Sequence, residues 1–266
     1  RYSTSKGVNT PLSLGVDKSF GGFCIVNQIN NSVDEMTMRT PIQCSQCSMQ
    51  SICVPAGLVP SDVEILDKSS REPHLYNKRS VVFSEDRPLN SVFAIKSGSV
   101  KCYTIDSNGK QQITSFHLVG DIVGLEALAN GKAATYCETL ETSMLCEIKL
   151  NKLFAQELPK VENNLLQLMS RRLANCSKHY LNIVNTSAEQ KVIAFLLSIS
   201  THMHQHGLSR NEYRLPMTRT DIANYLGLAV ETVSRIFTSL KEESLIDTKQ
   251  SILTINNLNA LERRVA

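Results

Sequence analysis

Hydrophobic and polar residues alternate in short runs along the middle of the chain, from about residue 72 to residue 150. The clearest runs cover residues 91–95, 99–105 and 112–116, and turns containing Gly, Asn or Ser separate them. A period of two places successive side chains on opposite faces of a β-strand. Short strands joined by such turns are typical of an antiparallel sandwich or roll. We therefore predict an antiparallel β-roll in this part of the chain.

After Pro159 the apolar residues recur every three or four positions, which is the spacing of a helix face. A narrow apolar seam on this predicted helix consists of Leu166, Met169, Leu173, Cys176, Tyr180 and Ile183. A second stripe on another face consists of Val161, Leu165 and Leu168. The stripe can pack on the β-roll and the seam on a second copy of the chain, whereas a monomer would bury one wide stripe. We predict a dimerisation helix whose interface is formed by Met169, Leu173, Cys176, Tyr180 and Ile183.

Two shorter helical patterns meet near Gly227, where glycine suits the left-handed turn of a helix-turn-helix. Thr218 and Asp221 can form a capping box at the start of the first helix, with Asp in place of the usual Glu or Gln. We expect the core shared by the two helices to consist of Ile222, Leu226, Val233, Ile236 and Leu240.

The second of these helices presents Glu231, Ser234 and Arg235 outside the expected core. Arg can bond O6 and N7 of guanine and Glu can accept from N4 of cytosine, so the two can read neighbouring base pairs. The same Glu-to-Arg spacing also suits an ion pair on a helix surface. Because residues 245–255 predict a wing-like hairpin directly afterwards, we favour base reading in the major groove.

The length and composition are those of an ordinary globular protein. The 266 residues suffice for two domains, and hydrophobic residues make up 42% of the chain. The longest apolar run, 192–197, is far shorter than the roughly 18 residues of a membrane-spanning helix. Residues 1–24 carry no secretory pattern, so we predict a cytoplasmic protein that does not associate with membranes. A formal net charge of +3 neither requires nor opposes a nucleic-acid partner.

Three of the eight cysteines form the pattern C-x2-C-x5-C at Cys44, Cys47 and Cys53. In a reducing compartment, clustered cysteines indicate metal or redox chemistry more often than disulfides. Three thiolates within one short loop can bind a single metal centre. A tetrahedral zinc site is the competing interpretation, but the chain has no second C-x2-C pair to complete it.

His202, His204 and His206 alternate along another predicted helix, which covers residues 187–206 and ends before Gly207. Side chains two residues apart do not share a helix face, so this pattern is a poor metal site. We expect a solvated helix end instead.

Residues 218–235, TRTDIANYLGLAVETVSR, resemble the FNR branch of the cyclic AMP receptor protein/FNR (CRP/FNR) family of bacterial transcription regulators. The resemblance covers about residues 41–260. It implies an α+β fold with an N-terminal antiparallel β-roll like that of cyclic-nucleotide-binding domains, a long dimerisation helix and a C-terminal winged helix-turn-helix. The DNA contacts that it implies are Glu231, Ser234, Arg235, Val230, Thr218 and Arg219. Ala229 stands where the family commonly has Ser or Thr, and the missing capping hydroxyl should cost about 0.5–2 kcal/mol.

The clustered cysteines resemble the segment of FNR that holds a [4Fe–4S] cluster. The resemblance implies that Cys146 is the fourth ligand, with Cys137 and Cys102 as the alternatives. The roll has Ala-Ala-Thr at 133–135, where nucleotide-binding members of the family have Arg-Ser. A buried cyclic phosphate would lack its arginine there, so we expect no cyclic-nucleotide binding.

We predict five segments: a disordered tail (1–40), a cysteine-rich iron–sulfur sensor segment (41–60), a β-roll sensory domain (61–155), a dimerisation helix (156–186) and a winged helix-turn-helix DNA-binding domain (187–266). The leading hypothesis is an oxygen-responsive regulator whose cluster favours a homodimer on palindromic promoter sites. By resemblance, roll loops such as 106–110 would contact RNA polymerase. The alternative is a cluster-free regulator that uses its cysteines as a thiol redox switch or zinc site. No nucleophile–base set or Gly-rich phosphate loop supports an enzyme.

Overall fold

The computed structural model describes residues 44–48, 50, 53, 56–69, 73–155 and 159–265. Within these ranges, the side chains of residues 69, 153, 172, 175 and 177–185 are not described. The predicted tail over 1–40 lies outside the described residues.

The middle of the chain forms a roll of two antiparallel four-stranded sheets. The strands are β1 (His74–Tyr76), β2 (Val81–Phe83), β3 (Ser91–Ser97), β4 (Val100–Ile105), β5 (Gln111–His117), β6 (Ile122–Val123), β7 (Tyr136–Thr139) and β8 (Ser143–Lys149). One sheet has the order β1-β8-β3-β6 and the other β2-β7-β4-β5. The alternating pattern thus predicted the three central strands to within two residues at each end.

Gly98 makes the tight turn between β3 and β4. Its φ of 85° is one that side chains other than glycine rarely tolerate. A Cβ there would also collide with Ser143 on β8. Ser143 in turn accepts a hydrogen bond from the backbone N–H of Ser99 at 3.1 Å, which ties the turn to the neighbouring strand.

Four helices surround the roll or leave it. They are α1 (Pro60–Ser69), α2 (Leu150–Phe154), α3 (Pro159–Asn185) and α4 (Ala188–Gln205). Ser187 caps α4 in a full capping box with Gln190, and the helix ends at His206 before Gly207, which has a φ of 73°. The long α3 has one face on the roll, because Val161 and Leu165 are fully buried there.

The C-terminal part is a winged helix. Its elements are β9 (Glu212–Arg214), α5 (Arg219–Leu226), α6 (Val230–Glu242), β10 (Ile246–Lys249), β11 (Ile252–Ile255) and α7 (Leu258–Val265). The predicted capping box of Thr218 and Asp221 starts α5, and Gly227 ends it at a φ of 66°. Ala229 gives α6 no side-chain cap. The strands form one antiparallel sheet in the order β10-β11-β9.

The predicted α+β fold class is confirmed, and one part of the predicted core needs correction. Ile222, Leu226, Val233 and Leu240 are buried, but Ile236 is only partly buried. Phe237, the next residue, takes the buried position instead. The helix α6 is therefore rotated slightly from the orientation that its apolar spacing suggested. Across the described ranges, none of the helices is both long and apolar enough to cross a bilayer.

Candidate functional site

The described residues of the cysteine segment (44–48, 50, 53 and 56–59) form mainly turns, and the first of them bonds to α1. Cys44–Gln46 form one turn of 3-10 helix, and the N–H of Cys47 donates to the carbonyl of Cys44. The backbone N–H of Cys44 donates to Oδ1 of Asp67 on α1 at 2.6 Å. After Cys53, the N–H of Ala56 donates to the Cys53 carbonyl at 2.9 Å. One hydrogen bond thus joins the start of this segment to α1, and the others lie within the segment.

Cys146 lies beside this segment, on β8 and opposite Ala94 of β3. The side chains of Cys44, Cys53 and Cys146 pack against one hydrophobic cluster. Its buried members are Leu66, Val92, Ala94, Ile122, Leu125, Ile148, Leu150, Val161 and Leu165. The alternatives Cys102 and Cys137 face each other across β4 and β7 and belong to the other core cluster of the roll. The structure therefore groups Cys146, and not Cys137 or Cys102, with the clustered cysteines.

The thiols of the four cysteines influence one another electrostatically. Burial and the neighbouring Cys47 raise the pKa of Cys146 to about 11, although Lys96 acts in the opposite direction. Burial also raises the pKa of Cys44, as do its hydrogen bond to Asp67 and its neighbours Cys53 and Cys146. None of the described cysteines forms a disulfide bond. Within the described part of the chain, however, no three His, Cys, Asp or Glu side chains are close enough to hold a metal ion.

The donor set still fits an iron–sulfur centre in its chemistry. Four thiols from a turn segment and one strand are the ligands that a [4Fe–4S] cluster takes. The pKa values of Cys44 and Cys146 are raised, so these two thiols are protonated near neutrality, and binding of a metal centre to them would release protons.

The cysteine segment also contacts the long helix α3. The side-chain amide of Asn164 on α3 donates to the carbonyl of Ala56 at 2.8 Å. Val161 and Leu165 belong to the same hydrophobic cluster as the cysteines. One face of α3 therefore packs directly on the cysteine site.

The predicted seam lies on the outer face of α3. Leu166 is 61% exposed, Leu173 71% and Met169 39%. Cys176 is exposed as well, and its thiol lies near enough to Tyr225 on α5 to add to the rise that burial causes in that tyrosine's pKa. The side chains of Tyr180 and Ile183 lie outside the description. The stripe at Val161 and Leu165 is thus buried while the described side chains of the seam on the adjacent face are exposed.

The proposed reading face of α6 points to solvent. Glu231 and Arg235 are exposed, while Ser234 and Val230 are partly exposed. In the described residues Glu231 and Arg235 form no ion pair with each other, although their spacing would allow one. Arg219 behaves differently, because its guanidinium lies 3.4 Å from the ring centroid of Phe237. Such stacking anchors α5 on α6 and shows a packing role for Arg219 beside its predicted DNA contact.

Thr218 is exposed at the start of α5, but its hydroxyl is already engaged. It accepts from the N–H of Asp221 at 3.0 Å and donates to the carboxylate of the same residue at 2.6 Å. Because the hydroxyl is engaged, a phosphate near Thr218 would interact with the N-terminus of α5 and not with this side chain.

The histidine pattern was interpreted wrongly for His202. That side chain is mostly buried, and its Nε2 lies 3.0 Å from the carbonyl of Val119 in the roll. Burial lowers its pKa, while Asp121 acts in the opposite direction. His202 and His206 are four residues apart, so they share a face and stack at 4.1 Å. His204 alone is solvated as expected.

Sequence reasoning missed the contact between the roll and α5. Asn224 and Asp221 of α5 bond to β5 and β4, over more than 100 residues of sequence separation. No local pattern could have revealed these pairs, since each residue has an ordinary role in its own helix.

A β-roll followed by one long helix and a winged helix defines a class of proteins in which a sensory domain controls DNA binding. Two family models match this chain: the cyclic nucleotide-binding domain over residues 73–156 and the Crp-like helix-turn-helix domain over residues 190–264. The chain belongs to the CRP/FNR family of transcription regulators, and it is a DNA-binding regulator rather than an enzyme.

Relatives support this assignment over most of their length. The chain is 38% identical to the anaerobic regulatory protein of Pasteurella multocida, over 83% of this chain and 81% of that protein. It is 36% identical to the fumarate and nitrate reduction regulatory protein of Escherichia coli, over 83% and 89% respectively. Among solved structures, FixK2 from Bradyrhizobium japonicum is similar, with a TM-score of 0.66 and 27% identity over 73% of this chain and 96% of that one.

Proposed function

We propose that this protein is an oxygen-responsive transcription regulator that binds promoter DNA in anaerobic conditions. In this proposal Cys44, Cys47, Cys53 and Cys146 hold a [4Fe–4S] cluster. The names of the relatives from P. multocida and E. coli refer to anaerobic regulation and to fumarate and nitrate reduction, which supports the anaerobic role.

One observation carries the proposal: the cysteine site and the long helix share a single hydrophobic cluster. Cys44, Cys53 and Cys146 pack on the cluster that also contains Val161 and Leu165 of α3. An adjacent face of the same helix carries the exposed seam. A change in the position of the cysteine segment can therefore reach the seam through one rigid helix.

A bound cluster would supply an oxygen-sensitive crosslink between the cysteine segment and β8. Residues of the protein itself would couple this crosslink to the position of α3. Asp67 holds the start of the segment at Cys44, and Asn164 holds its end at Ala56. Cys44, Cys53 and Cys146 pack on the cluster that contains Val161 and Leu165, so a centre held by these thiols would lie against α3. Asn164 joins the end of the segment to the same helix, and we propose that it couples the two.

Dimerisation would proceed through Met169, Leu173 and Cys176, continued by Tyr180 and Ile183. Burial of these apolar side chains against a second copy is favourable by roughly 25 cal/mol per Å² of apolar surface. Two recognition helices would then face adjacent major grooves of a palindromic site, with Glu231, Ser234 and Arg235 toward the bases and Val230, Thr218 and Arg219 nearby. RNA polymerase is proposed to contact the turn 106–110, which projects between β4 and β5.

The test is iron and sulfide analysis of protein purified without oxygen, together with its visible spectrum. We expect four irons and four sulfides per chain in the wild type, and their loss in Cys146→Ser. The matched control is Cys137→Ala, which removes a buried thiol from the other core cluster and should keep the centre. Zinc without colour would support the zinc alternative, and metal-free protein would support a thiol switch; either result overturns the cluster.

A further inference from the structure

The first helix of the helix-turn-helix is joined to the edge of the roll by the side chain of Asn224. Its Oδ1 accepts from the backbone N–H of Ile113 at 2.6 Å, and its Nδ2 donates to the carbonyl of Gln111 at 2.8 Å. The side chain of Gln112 donates back to the carbonyl of Asn224 at 2.8 Å. One amide thus pairs with β5 as a neighbouring strand would, and it uses backbone groups that an edge strand otherwise leaves open.

A charged bridge lies beside this pairing. Nζ of Lys101 on β4 is 3.3 Å from Oδ1 of Asp221 on α5 and 3.5 Å from Oε1 of Glu138 on β7. The three side chains are 13%, 15% and 21% exposed, so the bridge is largely removed from solvent. Partly buried ion pairs of this kind fix geometry more than they add stability.

Apolar contacts complete the junction. Phe116 of β5, Phe195 of α4 and Tyr225 of α5 form a cluster with ring centroids 5.0–5.8 Å apart. Leu118 and Leu140 of the roll are buried within the core of the winged helix. The roll and the winged helix of one chain therefore meet in a continuous packed interface.

This interface leaves the DNA-reading face open. Glu231 and Arg235 on α6 are exposed, whereas the roll contacts the side of α5 that carries Asp221, Asn224 and Tyr225. The contact is compatible with bound DNA, which argues against an inhibitory role. Since α5 and α6 share a core through Ala223 and Val233, whatever holds α5 also orients the recognition helix.

We propose that Asn224 and Lys101 are positioning residues that set the distance and angle between the two recognition helices of a dimer. They would do so by fixing each helix-turn-helix to its own roll, which α3 joins to the dimer seam. The consequence is selectivity for one spacing between DNA half-sites. This inference rests on the proposed dimeric, palindrome-binding function and adds a determinant of its specificity.

Half-site spacing is a sensitive measure of this orientation. One base pair inserted at the centre of a palindrome separates the half-sites by about 3.4 Å more and rotates them by about 35°. A rigid dimer cannot follow that change, whereas a dimer with loosely held winged helices can. Loss of the junction should therefore broaden the accepted spacing while leaving recognition within each half-site intact.

The experiment uses full-length protein prepared without oxygen and a palindromic duplex selected by the wild type from random DNA. Binding is measured by fluorescence anisotropy on that duplex, on versions with one base pair inserted or removed at the centre, and on a single half-site. We expect the wild type to bind the selected spacing about tenfold or more tightly than the altered spacings. For Asn224→Ala and Lys101→Met this ratio of affinities should fall below about threefold, while the affinity for a single half-site stays unchanged.

Two further variants separate this role from a general loss of stability. Gln112→Ala changes an exposed residue of the roll, outside the winged helix, and it should also reduce the preference for the wild-type spacing. Asn256→Ala removes an asparagine whose side-chain bond, to the Ser244 carbonyl, stays inside the winged helix, and it should keep the wild-type ratio.

The possible outcomes test the positioning role separately from the proposed palindrome-binding dimer. A wild type with no preference for spacing would overturn both the palindrome-binding dimer and the inference. A selective wild type with equally selective Asn224→Ala and Lys101→Met variants would overturn the inference alone. Tighter binding by Asn224→Ala to every duplex would also overturn it, since that result identifies an inhibitory contact.

Discussion

The winged helix and the cysteine segment lie toward opposite ends of the described chain and are ordered by different means. The winged helix has a capping box at Thr218, a left-handed glycine at Gly227 and a large hydrophobic core, which Leu118 and Leu140 of the roll complete. The cysteine segment has one turn of 3-10 helix without a buried residue, and it is tied to α1 and α3 through Asp67 and Asn164. The winged helix is therefore ordered by the protein's own residues, whereas we expect the cysteine segment to gain order when a metal centre binds.

This difference predicts two kinds of variant. Changes in the winged helix should have the same effect under argon and in air, because no oxygen-sensitive group supports it. Changes at the junction of the cysteine segment with α3 should matter only while the centre is intact. Each prediction below tests one side of this division.

The largest effect is expected from Leu173→Glu on the exposed seam. A twofold dimer would bring two such carboxylates together in a desolvated interface, which should weaken dimerisation by about 3–5 kcal/mol. Sedimentation velocity under argon measures the change. Leu75→Glu is the matched control, since Leu75 is 58% exposed on β1 and should leave the dimer intact. A dimeric Leu173→Glu variant would contradict the seam.

Arg235→Ala should come next in size. Loss of a bidentate contact to guanine costs about 1–3 kcal/mol of discrimination at one base pair. Competition assays against single base changes in the selected duplex measure it, and Arg210→Ala, whose guanidinium pairs with Glu262, serves as control. An equal loss of affinity on every sequence would assign Arg235 to phosphate contact instead.

Ala229→Ser should restore the missing cap of α6. A Ser side chain at this position can accept from the N–H groups of the first turn, and we expect a gain of about 0.5–2 kcal/mol in stability. Thermal unfolding measures the gain, which should be the same under argon and in air. A gain in stability under only one of the two atmospheres would contradict the claim that the winged helix is independent of the oxygen-sensitive site.

Asn164→Ala removes a single hydrogen bond between α3 and the carbonyl of Ala56. We expect the free energy of dimerisation under argon to weaken by about 0.5–1.5 kcal/mol, while the iron content stays unchanged. Asn163→Ala, the exposed neighbour, is the control and should behave as the wild type. If both variants dimerise alike, Asn164 does not transmit the signal.

The smallest effect concerns pH. Burial tends to raise the pKa of Asp221, but hydrogen bonds from Thr218 and the charge of Lys101 outweigh it and hold that pKa below its ordinary value. A lowered pKa stabilises the fold above the unfolded value, and the contribution is lost as the pH falls through the folded value. The melting temperature should therefore fall less steeply with decreasing pH for Asp221→Asn than for the wild type. Parallel curves would contradict this assignment.

The sequence predicted well what depends on neighbouring residues. The alternation of 91–105, the capping box at Thr218 and the glycine turn at Gly227 are local signals, and each appears in the structure. The exposure of the α3 seam at Leu166 and Leu173 also agrees with the two-stripe pattern.

Contacts between distant residues could not be predicted in the same way. In the sequence, Asn224 is an ordinary polar helix residue, and only the fold shows its hydrogen bond to β5. His202 likewise resembles a solvated residue, and only the fold shows its contact with the carbonyl of Val119. The core position of Phe237 depended on a rotation of α6 that apolar spacing does not resolve. The grouping of Cys146 with the clustered cysteines came only from family resemblance, because nothing local to β8 marks it.

The central claim is that the cysteine site controls the pairing of α3, and sedimentation velocity tests it most directly. The same anaerobic sample of the full chain is measured under argon and again after exposure to air, alongside Cys146→Ser. We predict a dimer that dissociates in air for the wild type, and a monomer in both conditions for the variant. A wild type with the same mass under argon and in air would contradict the claim.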